Sequence, residues 1–200
     1  MNFIEDKGIT GHLKISKRYA NGEEEVVLDD SNIIVSGMGE SLSYLFTASG
    51  SEFVLDHQIG RFQVGVSGPP AGGVVSSINQ LSGSLTSIDE YGTGSNLLVG
   101  LDNQLVNGAA VTDQTFAIIP ASKITRIGDS SVRYTLVIDE EACNGLQRAG
   151  IDAPISEVGL FTNNPSGAAK VSALLVAYRT FSKIFKTSDF SIIFRWTINF

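Results

Sequence analysis

The stretch Phe190-Ser191-Ile192-Ile193-Phe194-Arg195-Trp196-Thr197-Ile198-Asn199-Phe200 alternates large apolar residues with mostly polar ones. In an extended chain successive side chains point to opposite faces, so Phe190, Ile192, Phe194, Trp196, Ile198 and Phe200 share one side. Six large apolar groups on one face, running to residue 200, demand burial and read as a core strand of a mainly β protein. The segment before it, Ser172 to Phe181, reads as a second strand, and Lys183 to Ser188 as a short link.

Working outward, Ile155 to Thr162 is a further strand, followed by the turn Asn163-Asn164-Pro165-Ser166-Gly167. Upstream, Ile124 to Ile127, the turn Gly128-Asp129-Ser130-Ser131 and Val132 to Ile138 form a hairpin. In its return strand Val132, Tyr134, Leu136 and Ile138 point one way, and Arg133, Thr135 and Val137 the other. Thr115 to Ile119 reads as a strand, as does Arg61 to Val66 with Phe62, Val64 and Val66 on one face. The latter runs into the breaker Ser67-Gly68-Pro69-Pro70-Ala71-Gly72-Gly73.

Near the start, Leu13, Ile15, Lys17 and Tyr19 alternate with Lys14, Ser16 and Arg18. The turn Ala20-Asn21-Gly22-Glu23 carries Asn-Gly, a strong hairpin signal because both residues tolerate positive φ. Glu25 to Asp29 returns, and the acidic run Glu23-Glu24-Glu25 faces Lys14, Lys17 and Arg18 across the hairpin. Asn32 to Val35 leads into one helix, roughly 37–48. Met38, Leu42, Leu45 and Phe46 form its apolar stripe, Ser36 or Gly37 caps its start, and Glu40 sits in its first turn.

These elements amount to about nine strands and one amphipathic helix. The expected architecture is an antiparallel β-sandwich, jelly-roll-like, with the helix near residues 37–48 covering an end or edge. One domain spans 1–200, with an N-terminal arm (1–10), a polar connection at 49–60 and a Gly/Ser/Asn-rich excursion (67–114). Within the excursion, 74–114 reads as loosely structured with room for one short helix, and its composition permits ordering on assembly.

Composition narrows the function. The 21 glycines against 5 prolines suit short strands joined by turns. A net charge of −7 argues against direct nucleic-acid binding, which needs clustered Lys and Arg. Cys143, the only cysteine, has no partner for an internal disulfide. The opening Met-Asn-Phe-Ile-Glu-Asp lacks a leader's apolar core, and no apolar run approaches the roughly 20 residues of a membrane helix. The expectation is a protein made in a cytoplasm without membrane insertion.

A search for chemistry yields no catalytic, cofactor-binding or metal residues. His12 and His57 lack partners at ligand spacing, so hydrogen-bonded or surface histidines are expected. A nucleophilic Cys143 would need one of them beside it in space. The acids Asp29-Asp30 and Asp139-Glu140-Glu141 are read as strand-end residues, and neighbours in a strand point to opposite faces. Glycine-rich Gly65 to Gly73 and Gly92-Thr93-Gly94-Ser95 lack the Lys and βαβ frame of a phosphate loop. No enzyme, no cofactor and no small-molecule ligand is expected.

The order of elements carries a resemblance. A hairpin is followed by Asn32-Ile33-Ile34-Val35, with Gly37 or Gly39 leading into a Leu-rich helix. Then come a strand entering a Gly-Pro loop (Phe62 to Gly73), Ile155-Ser156-Glu157-Val158-Gly159-Leu160-Phe161, and the last strand pair. This resembles the small virion structural proteins of tailed bacteriophages found in tails, baseplates, necks and fibre attachment regions. The layout is also similar to tail-collar fibre proteins. The resemblance is most specific at 155–200 and weakest at 74–114.

It implies a virion component assembled in the host cytoplasm as a homo-oligomer, in rings or trimers, bound to other virion proteins and without catalysis. A capsid decoration or cement protein is the alternative it leaves open. A glycan-binding host-attachment domain would need exposed aromatics, for which Tyr44, Tyr91 and Tyr178 are the candidates. In the motif itself, Val158 and Leu160 share one face and Glu157, Gly159 and Phe161 the other. Glycine there admits a large ring or another backbone.

Overall fold

The computed structural model describes residues 8–34, 36–47, 54, 57–65, 98–99, 117–141, 143–145, 147–148, 151–152, 154–163 and 174–200. In chain order the elements are β1 (Thr10–Tyr19), β2 (Glu24–Ile34), α1 (Ser36–Thr47), β3 (Ile59–Gly65), β4 (Leu98–Val99) and β5 (Ala117–Ile118). A 3-10 turn (Ala121–Lys123) leads to β6 (Ile124–Arg126) and β7 (Ser131–Ile138). Then follow β8 (Gln147–Arg148), β9 (Ile151–Asp152), β10 (Ile155–Thr162), β11 (Leu175–Ile184) and β12 (Phe190–Asn199).

The fold is mainly β, and every pairing among the described residues is antiparallel. The first sheet runs β2-β1-β12-β7-β6, and the second runs β11-β10-β3, with β4 and β5 both on the far side of β3. The long β2 joins them: Glu24 to Asn32 pair with β1, while Ile33 and Ile34 pair with Tyr178 and Ala177 of β11. Strands β8 and β9 form a separate two-stranded ladder.

Facing apolar rows hold the sheets together as a sandwich. Phe190, Ile192, Phe194, Trp196 and Ile198 are buried on the inner side of β12. Across the gap, the Phe62 ring of β3 meets Phe194 edge-on at 5.1 Å, and Phe181 of β11 meets it at 6.1 Å. Aromatic edges on faces combine large apolar burial with quadrupole attraction. Leu13, Ile15, Leu136 and Ile138 extend this core on the first sheet, and Val64, Val158 and Leu160 on the second. Ile193 and Ser191 on the outer side of β12 are buried too, while Phe200 lies beyond the strand and is exposed. The apolar face therefore ends at Ile198, short of the last residue.

Strand β10 is buried at all eight positions, as expected of a strand inside a sheet with both faces covered. Val158 and Leu160 lie opposite Val64 and Phe62 in the core, and the other face carries Glu157, Gly159 and Phe161. A Cβ on Gly159 would fall 2.8 Å from Cε2 of Phe161 and 2.9 Å from Cδ1 of Leu175. The absent side chain is thus filled by a ring, as the motif led one to expect.

Several boundaries differ from the sequence reading. The strand expected at 172–181 occupies Leu175–Ile184, and the pattern of about nine strands becomes twelve among the described residues, four of them two-residue ladders. Pairs that short leave no periodicity to read. The helix starts at Ser36, so Ser36 is its first residue and Glu40 lies beyond the first turn. Its buried side is Gly37, Met38 and Ser41, with Leu42 and Leu45 half-buried and Phe46 on the outside.

At the first hairpin, Gly22 N–H donates to Tyr19 O and Tyr19 N–H to Glu23 O. Only Gly22 takes positive φ, +86°, while Asn21 uses its side chain to accept from the Glu23 N–H at 2.9 Å. That is a three-residue loop rather than a turn in which both central residues are left-handed. Of the excursion, only Leu98 and Val99 are described, pairing with Gly65 and Val64. The rest of 74–114, residues 1–7 of the N-terminal arm and most of the turn at 163–167 lie outside the described residues.

Candidate interaction surface

The outer face of the first sheet is a ladder of charges set by strand register. There His12 and Lys14 both reach Asp29, at 3.0 and 3.3 Å, whereas Lys17 reaches Glu25 at 3.2 Å on the other face, at the margin of the core over the Phe190 ring. Glu24 is shared by Arg18 at 3.1 Å and Arg195 at 3.2 Å. Lys14 lies too far along β1 to meet the Glu run, and the bulge after Ile15 moves it from the position of Leu28 onto Asp29. Glu23 stays at the loop, bonded to Asn21. The Arg195 guanidinium also donates to Ser16 Oγ at 3.5 Å on its way to Glu24.

Hydrogen bonds from Arg195 and then Arg18 hold the Glu24 carboxyl below its ordinary value. Tyr19 does the same for Glu25, helped by Lys17, and its own hydroxyl is raised in return. Asp30 is lowered first by the Ser31 N–H and then by Arg179, whose Nη2 lies 2.7 Å from Asp30 Oδ2. That last pair links β11 to β2 beyond the point where their backbones stop pairing. Asp29 and Asp30 thus diverge, one to the outer ladder and one to Arg179. Both lie within β2, not at its end.

The candidate chemistry is scattered over the fold. His12 belongs to the exposed ladder, whereas the His57 ring stacks on Tyr44 at 4.3 Å. The His57 carbonyl accepts the Ser41 hydroxyl at 2.6 Å. Cys143 is buried with left-handed backbone, φ 58°, and burial pushes its thiol up to about 12. A thiol so protonated is a poor nucleophile. Tyr178 is buried and donates to Glu157 at 2.6 Å, so it cannot stack on a glycan. Tyr91, Gly92 to Ser95 and Val66 to Gly73 lie outside the described residues. Among the described residues no three His, Cys, Asp or Glu side chains are grouped to hold a metal, and no helix is long and apolar enough to cross a membrane.

No protein-family model matches the chain, and no curated protein or solved structure matches it either.

Two features escaped the sequence reading. Lys186 is buried, its ammonium bonded to Thr187 O at 2.7 Å, Asn144 Oδ1 at 2.9 Å and Glu140 O at 3.4 Å, with the Phe190 ring 5.3 Å away. It ties the turn after β7 to the β11–β12 link, where Gly145 N–H also donates to Lys186 O. Desolvation lowers its pKa. A lysine in a polar link gives no sign in sequence that it will be buried. The second feature is exposed apolar surface: Phe46 is 85% exposed, Phe185 57% and Val26 50%. Phe185 falls just past the β11 alternation, which was the only available signal.

Proposed function

We propose that the chain is a non-enzymatic structural component of a tailed-phage particle, in the tail, baseplate or neck. It acts by binding copies of itself and neighbouring virion proteins. The observation that carries this reading is the set of exposed apolar side chains, led by Phe46 and Phe185, on a sandwich in which the inward-drawn ionisable groups Arg179, Glu157 and Lys186 are spent on holding the fold. Such side chains leave water when another chain covers them, which is where a contact gains apolar burial.

The test is light scattering of the purified chain across a concentration series, with 74–114 intact and deleted, beside a binding assay against proteins of the particle. A defined oligomer that collapses on deletion places a contact in that segment. Monomers that bind particle proteins shift the role to an adaptor or a capsid decoration. A monomer at high concentration that binds no particle protein overturns the proposal.

A further inference from the structure

The charges in the body of the first sheet are matched: Lys14 with Asp29, Lys17 with Glu25, Arg18 and Arg195 with Glu24. Of those without an ion pair among the described residues, several lie at the ends of the sandwich, while Glu40 on α1 and Lys123 before β6 also form none. One end of the sandwich holds the β1–β2 loop, the turn after β7 and the β11–β12 link. There Glu23, Glu140, Glu141 and Asp189 are exposed and in no ion pair among the described residues, against exposed Lys183 and the buried Lys186 ammonium, which Glu140 and Asp189 feel electrostatically. Phe185 is exposed among them.

The opposite end holds the β6–β7 turn, tied to β12 by Phe200 N–H donating to Ser130 O at 2.8 Å. Ile127 is 43% exposed there and Phe200 47%. Arg133 is exposed and in no ion pair among the described residues. Arg126 is 70% exposed, its Nε and Nη2 donating to Gly128 O and Asp129 O, with Asp129 the local acid at 3.6 Å. One end is therefore apolar and acidic, and the other apolar with an excess of arginine.

We infer that these two ends are the two halves of a head-to-tail contact between copies of this chain. Glu140, Glu141 and Phe185 of one copy face Arg126, Arg133 and Ile127 of the next. Charge chooses the occupant: an acidic end set against its own kind repels, whereas unlike ends attract and bring apolar groups together. A heterologous contact of this kind leaves one free end of each sort, so it repeats into a closed ring or an open stack. The exposed edge of β2 is the competing route to self-association, and it is guarded. Its acids Glu24, Glu25, Asp29 and Asp30 and the bulge at Val27 disfavour pairing with a second β2.

The inference rests on the structural reading for the expectation that the chain self-associates. Its test uses the full chain in sedimentation velocity, with the variants E140K/E141K and R126E/R133E. Each variant alone should associate about tenfold more weakly than the parent or worse. An equimolar mixture should recover association, because each supplies the charge the other lost, and that recovery also shows both to be folded. Raising salt should weaken the parent's association. Association unchanged in either variant overturns the contact, as does loss in only one of them, which marks a like-with-like interface. A parent that stays monomeric also overturns it, yet leaves the structural role standing if the chain still binds particle proteins.

Discussion

Gly159 is a position where the second sheet has no room for a side chain. Its neighbours on the outer face, Phe161 and Leu175, occupy the volume a side chain would need. Gly159→Val should destabilise the fold by about 1–3 kcal/mol, the usual cost of overpacking, read as a lower urea midpoint at unchanged slope. Lys186 offers the opposite case, a charge brought inside. Lys186→Met fits the apolar stem but leaves Thr187 O, Asn144 Oδ1 and Glu140 O without their donor. A loss of roughly 2–3 kcal/mol is expected, again by urea titration, from acceptors stranded away from water. The motif at 157–161 was legible because glycine among large residues in a strand has few explanations. Lys186 was not, because its partners come from two separate turns.

At the scale of elements, the hairpin of β1 and β2 depends on Gly22 to take left-handed backbone. Gly22→Ala should cost about 1 kcal/mol, measured by thermal unfolding, whereas Asn21→Gly should cost less because its backbone does not use positive φ. Alternation revealed β7, β10 and β12 almost residue for residue, since each has one face committed to the core. The helix ends were less legible. Phe46 fits the stripe by spacing, yet the last turn of α1 runs past the surface it packs on, so the ring is left outside. The bulge in β2 was not legible at all, because an extra residue in one strand has meaning only against its partner, and it moved Lys14 onto Asp29.

For the whole molecule, burial of two weak acids predicts the behaviour at high pH. The thiol of Cys143 and the hydroxyl of Tyr134 are each pushed up to about 12 by burial, from ordinary values of 9.0 and 10.0. Both are raised in the folded state, so the stability they contribute is fully present below the unfolded values. It is lost as pH climbs from about 9 toward 12, at up to about 1.4 kcal/mol per pH unit for each group. Lys186 acts in the other sense: its lowered pKa adds stability as pH rises toward 10.5. Comparing the parent with Cys143→Ala isolates the thiol. The variant should show a shallower decline above pH 9 in denaturant midpoints, and an identical decline would show that Cys143 is not buried as a thiol.

The sequence by itself determined the β class, the core faces of β7, β10 and β12, the position of α1 and the use of Gly159. Each is a local matter: a period of two, a period of 3.6, or a missing side chain between large ones. Only the tertiary structure decided how the sheets share β2, that Phe62 and Phe181 meet Phe194, and that Arg179 reaches Asp30. It alone set Glu140 and Glu141 at one end and Arg126 and Arg133 at the other. Those relations join residues far apart in the chain, and no local pattern carries them, because strand order and register are settled by the packing of whole faces.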